Sequence, residues 1–248
     1  MTRGRKIIAA LPIVILLFST AAVADEIKVL CPPPLRATLA ELTPLFERES
    51  GHRLLLSYEP SKAIVEHVKS GEVPEIVLLT VPNVDELRAL GLVEDRIDLV
   101  RSRIGIAVRS GATKPDVSST EAFKRTLLAA KSFARNEGAD SGIYMASLLE
   151  RLGIAEQMHG KTTLVRSGYV AELVANGQAE IGAQQISELM SVAGVAVFPL
   201  PQELQHVLTF SAGVAKRPKA PDAIRAFVGF MASPAAAVVI RARGLEPA

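Results

Sequence analysis

The chain has 248 residues, 28 basic and 26 acidic, with one cysteine, no tryptophan and few other aromatic residues. A single cysteine excludes an intramolecular disulfide, so the fold must stand on its hydrophobic core, and the missing tryptophan disfavours a sugar-stacking site. With no Lys/Arg run beyond the first residues, a basic nucleic-acid arm is excluded as well.

Arg3, Arg5 and Lys6 precede an apolar run from Ile7 to Phe18 and the triplet Ala22-Val23-Ala24. This is the pattern of a secretory signal peptide over residues 1–24, cut after Ala24; the competing reading is an uncleaved anchor helix, for which the apolar run is short. Without the leader, 25 basic residues face 26 acidic ones, a net charge of −1.

From Ile27 the elements alternate. Ile27 to Leu30 reads as a strand, Leu39 to Glu49 as a helix with apolar positions at Leu39, Leu42, Leu45 and Phe46, and Leu54 to Tyr58 as a second strand. The unit recurs as a helix Ile64 to Val68, a strand Ile76 to Leu79 and a helix Val84 to Leu90 ended by Gly91. A strand at Ile104 to Val108 leads into the loop residues Ser110 to Pro115. Helices Thr120 to Leu128, Ile143 to Leu152 and Val170 to Asn176 then alternate with strands Thr163 to Val165 and Glu180 to Ala183. Strands Val195 to Pro199 and Val207 to Val214 and helices Asp222 to Met231 and Pro234 to Arg243 complete the chain. Alternation of this kind predicts an α/β fold with mostly parallel sheets. A chain that leaves one α/β unit, builds a second and returns has two hinge crossovers, with a cleft between the lobes where ligands bind. Lobe one is expected at residues 25–104 plus 195–248, and lobe two at 105–194.

Strand-to-helix junctions should face that cleft, because free N–H groups and the positive helix end suit an anion there. Four junctions stand out: Cys31 to Arg36, Glu59 to Ala63, Gly138 to Gly142, and Arg166-Ser167-Gly168. Three prolines remove donors from the first, while Arg36 offers a guanidinium for a carboxylate or phosphate. Ser61 and Lys62 open a helix, Ser141 supplies a hydroxyl and an amide, and Gln185 closes a strand with an amide that donates and accepts. For each there is also a plain structural reading: a solvated Arg36, Lys62 or Arg166, and Ser61 as a helix cap. Cys31 reads as a buried apolar thiol.

No enzyme motif emerges. His52, His67, His159 and His206 are scattered, no histidine pair or cysteine cluster suits zinc, and neither a G-x-S-x-G elbow nor a phosphate loop occurs. No catalytic residue, metal or cofactor is therefore expected.

Several stretches, in this order, resemble the periplasmic molybdate-binding proteins, type II extracellular solute-binding proteins of ABC transporters. They are Val29 to Glu41, Leu56-Ser57-Tyr58 before Ser61, the turn Gly71 to Ile76, Leu87 to Leu92, Ser141-Gly142-Ile143-Tyr144, Gly177 to Gly182, and Phe227 to Gly244. The resemblance implies a two-lobed fold and an oxyanion site of serine hydroxyls, backbone amides and a tyrosine. By position, Ser61 keeps its serine and Ser141 stands where a small residue gives its amide. Pro34 replaces the first-loop serine, Gln185 the tyrosine, and Arg166-Ser167 an Asn-Val type pair. With Arg36, Lys62 and Arg166 added, the altered site suggests a carboxylate or larger anion. The expectation is a periplasmic, monomeric, non-enzymatic protein that closes on a small anion and passes it to an ABC permease in the inner membrane. A true molybdate or tungstate binder and an exported sensor subunit for a membrane kinase are the alternatives.

Overall fold

A computed structural model describes residues 24–72 and 74–248, so all of the expected signal peptide but Ala24 lies outside the described residues. The order of elements is β1 (Glu26–Cys31), a 3-10 turn (Pro33–Leu35), α1 (Arg36–Ser50), β2 (Arg53–Tyr58), α2 (Ser61–Lys69), β3 (Ile76–Thr80), α3 (Val81–Ala89) and β4 (Val93–Arg109). There follow α4 (Thr120–Ala129), β5 (Phe133–Asn136), α5 (Asp140–Arg151), α6 (Ala155–His159), β6 (Thr162–Val165), α7 (Val170–Ala175), β7 (Ile181–Gln185) and α8 (Ile186–Leu189). β8 (Val195–Pro199), β9 (Val207–Ala215), α9 (Pro221–Met231), α10 (Pro234–Ala242) and β10 (Leu245–Pro247) close the chain.

Two sheets share one strand. In the first, β2, β1 and β3 run parallel, β9 is antiparallel between β3 and β4, and β10 pairs with β4 on its other side. In the second, β6, β5 and β7 run parallel, and β7 and β8 flank the last residues of β4. Each parallel trio arises because a strand followed by an amphipathic helix must cross over and return in the same direction. The architecture is therefore the expected α/β one, two lobes joined by two crossovers.

Each sheet has its own core. Leu39, Leu42 and Phe46 of α1 lie against Ile27, Val29, Phe210 and Phe227, with the Phe46 and Phe227 rings edge to face at 5.4 Å. Ile104, Ile106, Phe123, Phe133, Met145 and Leu148 fill the second core. Burying each such side chain stabilises the fold by about 1.5–3 kcal/mol before entropy is counted.

The elements β5, α6, α8 and β10 were not expected from the sequence, and two boundaries differ from expectation. The strand expected at Ile104 to Val108 begins at Val93 and runs 17 residues. Its first half carries Glu94, Asp95, Arg96 and Asp98 on exposed positions, so the apolar pattern that marks a buried strand is missing there. Val195–Pro199 was expected in lobe one with the C-terminal segment; it pairs instead with Gly105–Arg109 in the second sheet. The chain returns to the first sheet only at β9, because β4 has a free edge beside Gly105 that β8 covers.

The crossovers lie side by side. β4 passes from pairing with β9 at Arg103 to pairing with β7 at Ile104. Across the return segment, Gln205 accepts a hydrogen bond from the Ile104 N–H at 2.9 Å and donates one to the Ile104 carbonyl at 3.0 Å. One side-chain amide thus serves as a rung between the two connections.

Candidate functional site

The parallel strands direct their carboxyl ends to the cleft. Cys31, Tyr58 and Thr80 end β1, β2 and β3, and Asn136, Val165 and Gln185 end β5, β6 and β7. The helix that follows β7, α8, packs against the Pro33–Leu35 turn that follows β1, so the two sides meet there.

On the first side, the Arg36 guanidinium lies over the Tyr58 ring, 4.1 Å from its centroid. Cys31 is buried beneath, its Sγ donating to the Ser57 carbonyl at 3.5 Å. Burial pushes this thiol up to about 12, against the pull of Arg36, so it stays protonated and inert. The Tyr58 phenol is also raised, first by burial, then by Cys31 and by Tyr169 from the other side of the cleft, with Arg36 acting in the opposite sense.

On the second side, Tyr169 precedes α7 and its phenol is raised by burial, with Arg36 opposing and Glu188 and Glu172 adding to the shift. Glu188, on α8, is 6 % exposed. Burial pushes its carboxyl up to about 8; a Gln184 side-chain hydrogen bond and the Gln185 backbone pull it down, and nearby Asp140 adds to the rise. The carboxyl is thus a neutral acid at neutral pH. Gln184 is anchored in turn, its Oε1 accepting from the Val170 N–H at 2.8 Å. Asp140, the first residue of α5, is itself raised by burial, with His206 opposing. His206 stacks on Tyr144 at 4.6 Å, and the Tyr144 hydroxyl donates to the Leu204 carbonyl at 2.6 Å, tying α5 to the return crossover.

Asn136 Oδ1, Ser141 Oγ and Ser187 Oγ are buried with no hydrogen-bond partner among the described residues. Buried polar atoms are nearly always paired, and these three stand unpaired near the carboxyl ends of β5 and β7. Backbone geometry holds one of them. A Cβ on Gly142 would stand 2.1 Å from the Asn136 carbonyl, so only glycine lets the first turn of α5 sit this close to the end of β5. A separate recess of about 210 Å³, lined by Arg135, Glu150, His159 and Thr162 among others, shares no residue with this cluster. No group of three or more His, Cys, Asp or Glu residues able to hold a metal occurs among the described residues.

Residues 27–246 match the protein family described as "Bacterial extracellular solute-binding protein". The chain belongs to this family. A relative named aconitate isomerase, from Pseudomonas sp, is 34% identical over 246 residues, covering 94% of this chain and 94% of that one. The molybdate-binding protein ModA of Azotobacter vinelandii is 24% identical over 239 residues, covering 92% of each. Among solved structures, the substrate-binding domain of a putative molybdenum ABC transporter from Clostridium difficile has a TM-score of 0.72 at 18% identity, over 91% of this chain and 100% of that chain. The likeness to molybdate-binding proteins seen in the sequence is thus one of family and fold.

This solute-binding protein brings only part of the expected residue set together. Arg36 and Gln185 lie at the meeting point, Gln185 buried and accepting from Ser102 Oγ at 2.9 Å. Ser141 is fully buried with its hydroxyl unpaired. Ser61 is the first residue of α2, Pro60 holds the cap position expected for it, and Lys62 is exposed. Arg166, expected in the anion site, has a side chain 87% exposed that pairs with Glu137 at 3.1 Å, with Ser167 exposed beside it. These two stay outside the cluster because the β6–α7 loop carries them into solvent. Tyr58, Asp140, Tyr169 and Glu188 were not singled out by sequence. The one signal for Glu188 is that it is the sole ionisable residue from Ile181 to Met190, four residues after Gln184.

Proposed function

We propose that the cleft binds a small organic polycarboxylate and that the protein, exported to the periplasm with its leader cut after Ala24, delivers this anion to an ABC permease. The observation that carries the reading is the donor set at the cleft: Arg36, the Tyr58 and Tyr169 phenols, the Ser141 hydroxyl and the protonated Glu188. One guanidinium with several neutral donors suits a carboxylate, which takes bidentate guanidinium bonds and accepts from O–H groups. A buried neutral carboxyl donates such a bond where an ionised one would repel the ligand. The 34% relative, named for an enzyme acting on aconitate, supports an organic polycarboxylate over a tetrahedral metal oxyanion and raises a second reading, that the cleft also acts on such a ligand.

Titration calorimetry with citrate, tricarballylate, aconitate, molybdate and sulfate tests the first reading. Polycarboxylate binding is expected, weakened about ten- to a hundredfold by Arg36→Ala, in line with about 1.5–3 kcal/mol for a charge-assisted hydrogen bond. Arg166→Ala, a solvated pair on the surface, should stay within about twofold of the unaltered protein. Micromolar binding of molybdate without any polycarboxylate binding would overturn the reading.

A further inference from the structure

Away from the cleft, the recess of about 210 Å³ lies between α5, α6 and the strands β5 and β6. It stays open because the residues that face one another there are small. Ala146 of α5 and Ala155 of α6 leave a gap, and Leu149 and Met158 floor it with buried apolar surface. Arg135 of β5 lines the same recess. Its Nη1 donates to the Asn136 carbonyl at 3.0 Å and to the Gly142 carbonyl at 3.1 Å, which fixes the guanidinium in place. Its Nε has no hydrogen-bond partner among the described residues. The acid whose charge reaches it is Glu137, and that carboxylate already pairs with Arg166 at 3.1 Å. A guanidinium stays charged when half-buried, so a cation without a carboxylate of its own stands beside an apolar floor.

The geometry points to a second ligand site in this recess, one that takes a small monocarboxylate with a branched apolar tail. With Nη1 spent on the backbone, the Nε–Nη2 edge of Arg135 is the part left for a carboxylate, which it grips through two parallel N–H bonds. The tail then covers Leu149 and Met158. Pockets for drug-sized ligands run to about 300–1,000 Å³, so a recess of this size suits a molecule of few heavy atoms. The exposed Glu150 carboxylate also lines it and repels a second negative charge, which separates this ligand from a polycarboxylate. The inference stands apart from the polycarboxylate reading, since the recess shares no residue with the donor set of the cleft.

Proton NMR of the purified protein titrated with isovalerate tests it. The C2–H resonance of His159, which lines the recess, reads occupancy there, and that of His206, which lies near Asp140 and stacks on Tyr144, reads the cleft side of α5. His159→Gln and His206→Gln assign the two signals. Isovalerate is expected to shift the His159 resonance to saturation, with a dissociation constant of about 1 mM or below, and to leave His206 in place. Isovaleramide, which has the shape without the charge, should bind at least about tenfold more weakly. Methylsuccinate, in which a second carboxylate replaces a methyl group, should weaken by about as much. Arg135→Lys keeps the charge but loses the paired N–H edge and should cost about tenfold or more. Ala146→Phe fills the recess with Arg135 intact and should abolish the His159 shift, and it decides the matter should the lysine variant fail to fold. The inference is overturned by no saturable shift at His159, by a shift at His206 alone, by isovaleramide or methylsuccinate binding as tightly as isovalerate, or by undiminished binding in a folded Ala146→Phe.

Discussion

Glu188 ties the stability of the protein to pH. Burial keeps its carboxyl neutral up to about 8, whereas in the unfolded chain it ionises near 4.5. Its contribution is whole below about pH 4.5 and is lost as the pH rises through about 8, because folding must then hold a buried charge or bind a proton. Each tenfold difference in proton affinity between the folded and unfolded chain is worth about 1.4 kcal/mol, so the loss is on the order of a few kcal/mol. Glu188→Gln cannot ionise, so urea midpoints at pH 5 and pH 9 should lie closer together in the variant than in the unaltered protein. The same spread in both would assign the pH dependence to other groups.

At the level of elements, α5 is the part whose placement depends most on a single residue. Its Ser141 hydroxyl and Asp140 carboxyl reach the cleft because Gly142 lets the helix start against the end of β5. Gly142→Ala drives a methyl group into the Asn136 carbonyl, and overpacking of this kind costs about 1–3 kcal/mol. A lowered melting temperature and weaker ligand binding are both expected. Gly138→Ala is the control, since a Cβ there meets nothing within 4 Å. Equal melting of the two variants would show that α5 shifts without penalty.

Across the whole molecule, β4 and the return segment carry the chain between the halves, and Gln205 bridges them. β4 belongs to both sheets, and Gln205 bridges the crossovers through both polar atoms of the Ile104 peptide group. A continuous strand should make the protein unfold in a single transition. Gln205→Ala leaves the Ile104 N–H and carbonyl without that partner and should lower stability by about 1–3 kcal/mol while keeping the transition single. Urea unfolding followed by circular dichroism and tyrosine fluorescence checks both points. Non-coincident curves in the unaltered protein would show that the sheets unfold as separate units.

Local patterning alone carried the α/β class, the junction loops and most strands and helices, though not β5, α6, α8 and β10, since periodicities of 3.6 and 2 are written in neighbouring residues and fade in segments this short. Arg36 and Ser141 were legible for the same reason, each standing at a strand-to-helix junction. The pairing of β8, the charged first half of β4 and the membership of the cleft cluster were not, because each depends on contacts between residues far apart in the chain. Glu188 and Arg166 show why: an acid next to Leu189 and Met190 and a basic residue in a junction loop have opposite prospects once folded. The acid is desolvated where two sheets meet and the base is carried out to Glu137 and water, and only the tertiary structure decides which side chain loses its solvent.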